Sequence, residues 1–148
     1  MSEKNEENEK IVGVIYALPR NLVNRFFINK KNVFIKFHTY ERLPITLQIC
    51  SKLLFYVSHS KKEVIGEANI RDIRLMTTEE AIRKYPKKMF LSSKELRAYA
   101  KGRENKKALV FILSNIRRYG KPVYYDHPLT MAGEYISKKK YEEINQKK

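Results

Sequence analysis

Lys36 and Glu67 are the two residues of this chain whose types and placement suit proton transfer. Each falls on the more polar side of a predicted strand. A lysine desolvated beside a carboxylate loses affinity for its proton and becomes a usable base. The same two residues on neighbouring strands also make an ordinary cross-strand ion pair. Catalysis therefore has weak candidates only, and the sequence reads more as a binding protein than as an enzyme.

A second constellation mixes cations with aromatic rings. Arg117, Arg118 and Lys121 alternate with Tyr119, Tyr124 and Tyr125, and Lys61 and Lys62 form a basic turn elsewhere in the chain. Guanidinium and ammonium groups hold phosphates, while tyrosine faces stack on unpaired bases, which is the combination single-stranded RNA requires. Arg117, Arg118, Lys121, Tyr124, Lys61 and Lys62 are the expected nucleic-acid contacts. A third group, Phe37, His38, Tyr40, Tyr56, Ser58 and His59, lies near the ends of predicted strands. If those ends meet, they line an aromatic cleft with a few polar groups, the setting in which a splayed base is read. Packing of the same rings in a core is the alternative.

Other chemistries lack their residues. His38, His59, His127 and the single Cys50 show no local ligand spacing, so no metal is expected. The five glycines stand apart from one another, and none opens a Gly-rich strand-to-helix turn. No cofactor is expected. One cysteine permits no intrachain disulfide, and a buried thiol in a reducing compartment is the simple reading.

The charge points to a polyanionic partner. The 148 residues carry 31 Lys and Arg against 16 Asp and Glu, a net charge of +15. Residues 1–10 contribute −2 and residues 138–148 contribute +3, which leaves +14 on the stretch between them. Such charge on a folded body repels itself unless something anionic is recruited, most often a phosphate backbone. Arg83, Lys84, Lys87, Lys88 and Lys94 broaden that field without reading sequence. The longest apolar runs, at 53–57 and 108–113, fall far short of the ~20 residues of a membrane-spanning helix, and the acidic start has no apolar signal core. A cytoplasmic protein without membrane contact is expected.

The elements that must position these residues follow from periodicity and punctuation. Residues 11–16 are β-branched and apolar, a buried first strand. Pro19 suits a helix start, and Leu22/Phe26 and Val23/Phe27 give that helix an apolar side. Strands are predicted at 33–38, 52–59, 64–75 and 107–114, with a short one at 123–125. Thr77-Thr78-Glu79-Glu80 and Ser92-Ser93-Lys94-Glu95 are capping boxes that announce two helices, and Ser137 opens a last one. The expected organisation is an acidic disordered tail over 1–9, a single domain over 10–146 with a helical insertion at 76–104, and a two-residue tail at 147–148.

The hairpin formed by residues 52–59 and 63–68, with its apolar strand, Tyr56-Val57-Ser58 and Val64-Ile65-Gly66-Glu67, is similar to the central hairpin of PUA-like folds. The strand at 108–113, with residues 121–125 and 131–135, resembles an uncharacterised archaeal family of that superfamily. The resemblance implies an α+β fold: a small, mostly antiparallel PUA-like β-barrel with flanking helices. PUA domains bind structured RNA, EVE domains hold modified bases, and some ASCH domains hydrolyse acylated nucleosides. An RNA-binding module that recognises a modified or flipped nucleobase is the function implied. An ASCH-like amidohydrolase acting on a modified nucleoside is the alternative, though the ASCH signature Gly-x-Lys-x-x-Glu-x-Arg has only an echo between Lys36 and Arg42. A basic interaction subunit of a ribonucleoprotein is a third reading.

Overall fold

The computed structural model describes residues 3–37, 42–59, 61–126, 129–130 and 132–148. The first apolar run becomes β1 (Ile11–Leu18), and Pro19, with φ −58°, delivers the chain into α2 (Arg20–Phe27). The residues before β1 form α1 (Glu3–Glu9), where the composition suggested a tail, and Lys138 Nζ lies 3.0 Å from Glu7 Oε1. A short β2 (Val33–Lys36) and one turn of helix, α3 (Ile45–Gln48), lead to β3 (Lys52–Val57). A tight turn follows, with left-handed backbone at His59 (φ 56°) and Lys62 (φ 59°), and the chain returns as β4 (Glu63–Met76). Both capping boxes open helices as their chemistry requires. Thr77 accepts the Glu80 N–H at the start of α4 (Thr78–Lys84). At α5 (Ser93–Tyr99) the Ser92 and Glu95 side chains satisfy each other's backbone donors. The chain finishes with β5 (Ala108–Tyr124), β6 (Glu134–Ser137) and α6 (Lys138–Lys147), the last capped by Ser137.

The six strands form one sheet in the order β2-β5-β4-β3-β1-β6, mostly antiparallel, with β1 and β3 parallel. Among the described residues the expected barrel does not close, because β2 and β6 are edges and no ladder joins them. The sheet nevertheless curls. Tyr16 on β1 and Phe34 on β2 lie four strands apart in the ladder, yet their ring centroids are 5.3 Å apart. Curling buries the apolar face; a hydrogen-bonded seam would add only edge protection. That protection comes from the chain between α4 and α5, where Lys88 O accepts from Asn32 and Val33 and the Phe90 N–H returns to Val33 O.

β5 is one strand where the sequence suggested two. Val123 pairs with Val64 and Arg118 with Gly66, so the four residues 119–122 face a single residue of β4. Pro122 sits in this bulge, where its missing N–H breaks no ladder bond. Alternation along the strands divides the core in two. One face gathers Tyr16, Phe26, Phe34, Phe55, Phe90 and Phe111 under α2 and α5; the other gathers Ile15, Leu54, Tyr56, Tyr119, Val123 and Tyr125 under Ile144 of α6.

Candidate nucleic-acid interface

The β3–β4 turn and the end of β5 meet at one tip of the sheet. Glu63 pairs with Tyr124, and the Tyr125 N–H donates to Lys62 O at 2.7 Å. Lys61 and Lys62 are thereby held beside Tyr124, residues about sixty positions apart in sequence. Tyr124 is 62% exposed while its neighbours Val123 and Tyr125 are buried, so its ring faces solvent. Arg118 and Lys121 are exposed along the same strand, Lys121 in the bulge. Five of the six predicted nucleic-acid residues are therefore together at or near this tip. The sixth, Arg117, is committed elsewhere.

Arg117 is opposite Glu67, whose carboxylate is fully buried. Arg117 Nη2 and the Tyr141 hydroxyl donate to Glu67 Oε2, the latter at 2.6 Å. The Tyr119 hydroxyl (2.8 Å) and Lys148 Nζ (2.7 Å) donate to Oε1. Burial pushes the Glu67 pKa up, but the hydrogen bonds from Lys148, Tyr141 and Tyr119 outweigh it and hold the carboxyl below its ordinary value. Burial and the same carboxylate push the Tyr141 phenol up to about 12. A carboxylate with four donors has no lone pair to spare for a substrate proton.

Lys36 lies far from this cluster. It pairs with Leu109 on β5 whereas Glu67 pairs with Arg117, eight residues along the same strand, or about 26 Å of extended chain. Its ammonium sits over the Tyr16 ring at 5.6 Å, and burial, with Arg103 adding repulsion, holds its pKa down. The structure does not bring the two proposed proton-transfer groups together. It also divides the predicted base pocket. Phe37 packs in the first core, edge-on to Tyr99 and under the Arg103 guanidinium at 4.3 Å; Tyr56 belongs to the second core, edge-on to Tyr125. Ser58 ties the turn to β1 through its N–H on Leu18 O, and His59 is exposed. His38 and Tyr40 lie outside the described residues. Cys50 is buried, which pushes its thiol up to about 11.

A concavity of about 440 Å³ opens between the end of α2 and the chain joining α4 to α5. Met89, Phe90 and Leu91 give it an apolar floor, while Asn29, Lys31 and Lys87 contribute polar and cationic groups. Its wall is braced by Arg25, which forks onto Glu95 at 2.7 and 3.0 Å and also donates to Phe90 O. The end of α2 also reaches the β4–β5 ladder: a Cβ on Gly66 would lie 2.3 Å from Phe27 Cζ, and Gly66 is the ladder partner of Arg118. Among the described residues no cluster of three or more His, Cys, Asp and Glu is arranged to hold a metal, and no helix is long and apolar enough to cross a membrane.

Residues 11–138 match the model of a domain of unknown function, DUF365. The chain belongs to the DUF365 family. Over 106 residues it is 30% identical to an uncharacterized protein of Methanocaldococcus jannaschii, a match that takes in 65% of this chain and 98% of that one. Among solved structures, the DUF365 chain superposes on a mutant of an ASCH protein from Zymomonas mobilis with a TM-score of 0.74 at 19% identity, covering 95% and 97% of the two chains. The unmutated ASCH protein gives 0.73 at 20% identity, covering 90% and 94%. The N-terminal domain of Staphylothermus marinus McrB gives 0.58 at 17% identity, covering 92% and 94%. The PUA-like resemblance read from the hairpin is thereby confirmed at the level of fold.

Two parts of this candidate site are not legible in the sequence. Tyr141 and Lys148 reach Glu67 from 74 and 81 residues away, and nothing local marks them as its partners. The groove is made by Asn29, Lys31 and the 86–91 segment, and its only sequence signal was the local excess of lysine.

Proposed function

We propose that this DUF365 chain is a nucleic-acid-binding module that grips a single-stranded RNA backbone at the β4–β5 tip and seats a splayed base in the groove beside α2. The observation that carries the reading is the backbone hydrogen bond from the Tyr125 N–H to Lys62 O, just beyond the last pair of the β4–β5 ladder. It fixes two lysines against an exposed tyrosine on a rigid sheet end, so that backbone phosphates and a base face are met together. Phosphate contacts supply affinity and position, and the ring supplies stacking that tolerates any base. A net charge of +15 supports the same partner, as does the PUA-like fold, since PUA domains bind RNA.

The groove extends the reading to a base. Its volume of about 440 Å³ falls within the ~300–1,000 Å³ typical of small-molecule sites. An apolar floor with an amide and two ammonium groups at its edge suits a flat heterocycle carrying a phosphate. Arg118, exposed on β5 between Tyr124 and the β2-paired segment of that strand, offers a phosphate contact for a strand running from Tyr124 towards Lys31. Ultraviolet crosslinking to a uridine-rich oligonucleotide, followed by peptide mapping, tests this path. Crosslinks in residues 118–126 and 86–93 are expected. Crosslinks confined to the first ten and last eleven residues would refute it.

A further inference from the structure

Lys52, Asn69, Glu67 and Arg117 form a polar row across three strands, on the opposite side of the sheet from α2. Lys52 is registered with Asn69, Glu67 with Arg117, and Lys148 closes over the row from the end of α6. Three cations therefore surround one carboxylate. Among the described residues no second acidic group forms an ion pair with Lys52, Arg117 or Lys148. Cations outnumber carboxylates in this half-buried place, where charge imbalance is costly. Lys52 registers that cost. Burial first, and then the Arg117 charge, hold its pKa down despite the nearby Glu67.

We propose that this row is a binding site for a dianionic phosphate group, carried either by free phosphate or by a nucleoside 5′-monophosphate. An anion suits a row in which cations outnumber carboxylates. Phosphate oxygens accept several N–H donors at once, and donors remain available. Each lysine ammonium has three hydrogens; Lys52 spends one on Asn69 Oδ1 at 2.6 Å and Lys148 one on Glu67. The site is reachable, since the Arg117 and Lys148 side chains are 33% and 22% exposed. Glu67 serves as the anchor beneath, holding Arg117 and Lys148 at one point while the incoming anion meets their outer faces. The site goes beyond the RNA reading and stands without it.

Titration of the full chain by calorimetry, with inorganic phosphate, a nucleoside 5′-monophosphate and the unphosphorylated nucleoside in separate arms, tests the proposal. Phosphate and the monophosphate should bind and the nucleoside should not. Affinity for the monophosphate at least tenfold above that for phosphate would identify a nucleotide as the source; equal affinities would identify free phosphate. Lys52→Gln keeps a side chain able to pair with Asn69 and should weaken phosphate binding by tenfold or more with an unchanged melting temperature. Lys148→Ala, at the end of α6, should weaken phosphate binding to the same extent while lowering the melting temperature, because it also takes a donor from the buried Glu67, and it serves if Lys52→Gln fails to fold. Undiminished binding in these variants, or no phosphate binding by the wild type, would overturn the site.

Discussion

Glu67 and Arg117 face each other across the β4–β5 ladder, and the Glu67 carboxylate, sealed from solvent, also takes two phenols and an ammonium. The arrangement ties α6 to the sheet through one atom pair. It also explains why an acidic residue sits in the middle of a strand in a strongly basic protein. Truncating it strands two cations and two hydroxyls. Glu67→Ala should lower the unfolding free energy by about 3–5 kcal/mol, the cost of breaking a buried ion pair from one side. Urea unfolding at neutral pH measures it, and a loss under about 1 kcal/mol would mean that the cluster is not what holds α6.

Gly66 is the second rigid point. A Cβ there would lie 2.3 Å from Phe27 Cζ and 2.7 Å from Arg117 O. The ring can swing away, but the carbonyl belongs to the ladder and cannot. Gly66→Ala should therefore destabilise by about 1–3 kcal/mol, the usual cost of overpacking. Adding Phe27→Leu should restore only part of the loss, which paired unfolding curves would show.

Acid sensitivity follows from carboxylates held below their ordinary values. The Arg25 hydrogen bond, then the Ser92 backbone N–H, bring Glu95 down to about 2 from 4.5. A depressed folded pKa contributes stability that is fully present above the unfolded value and is lost as pH falls through the folded one. Glu67, also lowered, acts in the same direction. Stability should fall between pH 4.5 and 2, and Glu95→Gln should flatten that fall when unfolding is followed across the range.

Much of this architecture is legible in the chain because it is local. Thr77 and Ser92 announce α4 and α5 through contacts three residues long, and apolar runs mark β1, β3 and β4. Pro122 misled the reading of β5, since proline excludes a residue from a ladder but not from a bulge within a strand. The placement of Phe37 and Tyr56 on opposite faces depends on strand parity and on the curl of the sheet, neither of which a single strand reveals. Lys36 and Glu67 each fall on the more polar side of a predicted strand, but the β5 register that separates them is non-local. Lys61, Lys62 and Tyr124 carry their chemistry wherever the fold puts them, whereas their meeting at one tip depends on the β4–β5 register.

The salt dependence of single-stranded RNA affinity tests the proposed interface most directly. Each phosphate contact contributes a slope of about −0.7 in log affinity against log salt, so Lys61→Gln/Lys62→Gln should shallow the slope by about 1.4. Tyr124→Ala should instead weaken binding by roughly 5–150-fold, the worth of one stacked base, with the wild-type slope retained. Affinity that is flat with salt, or a slope unmoved by loss of both lysines, would contradict RNA binding at this tip.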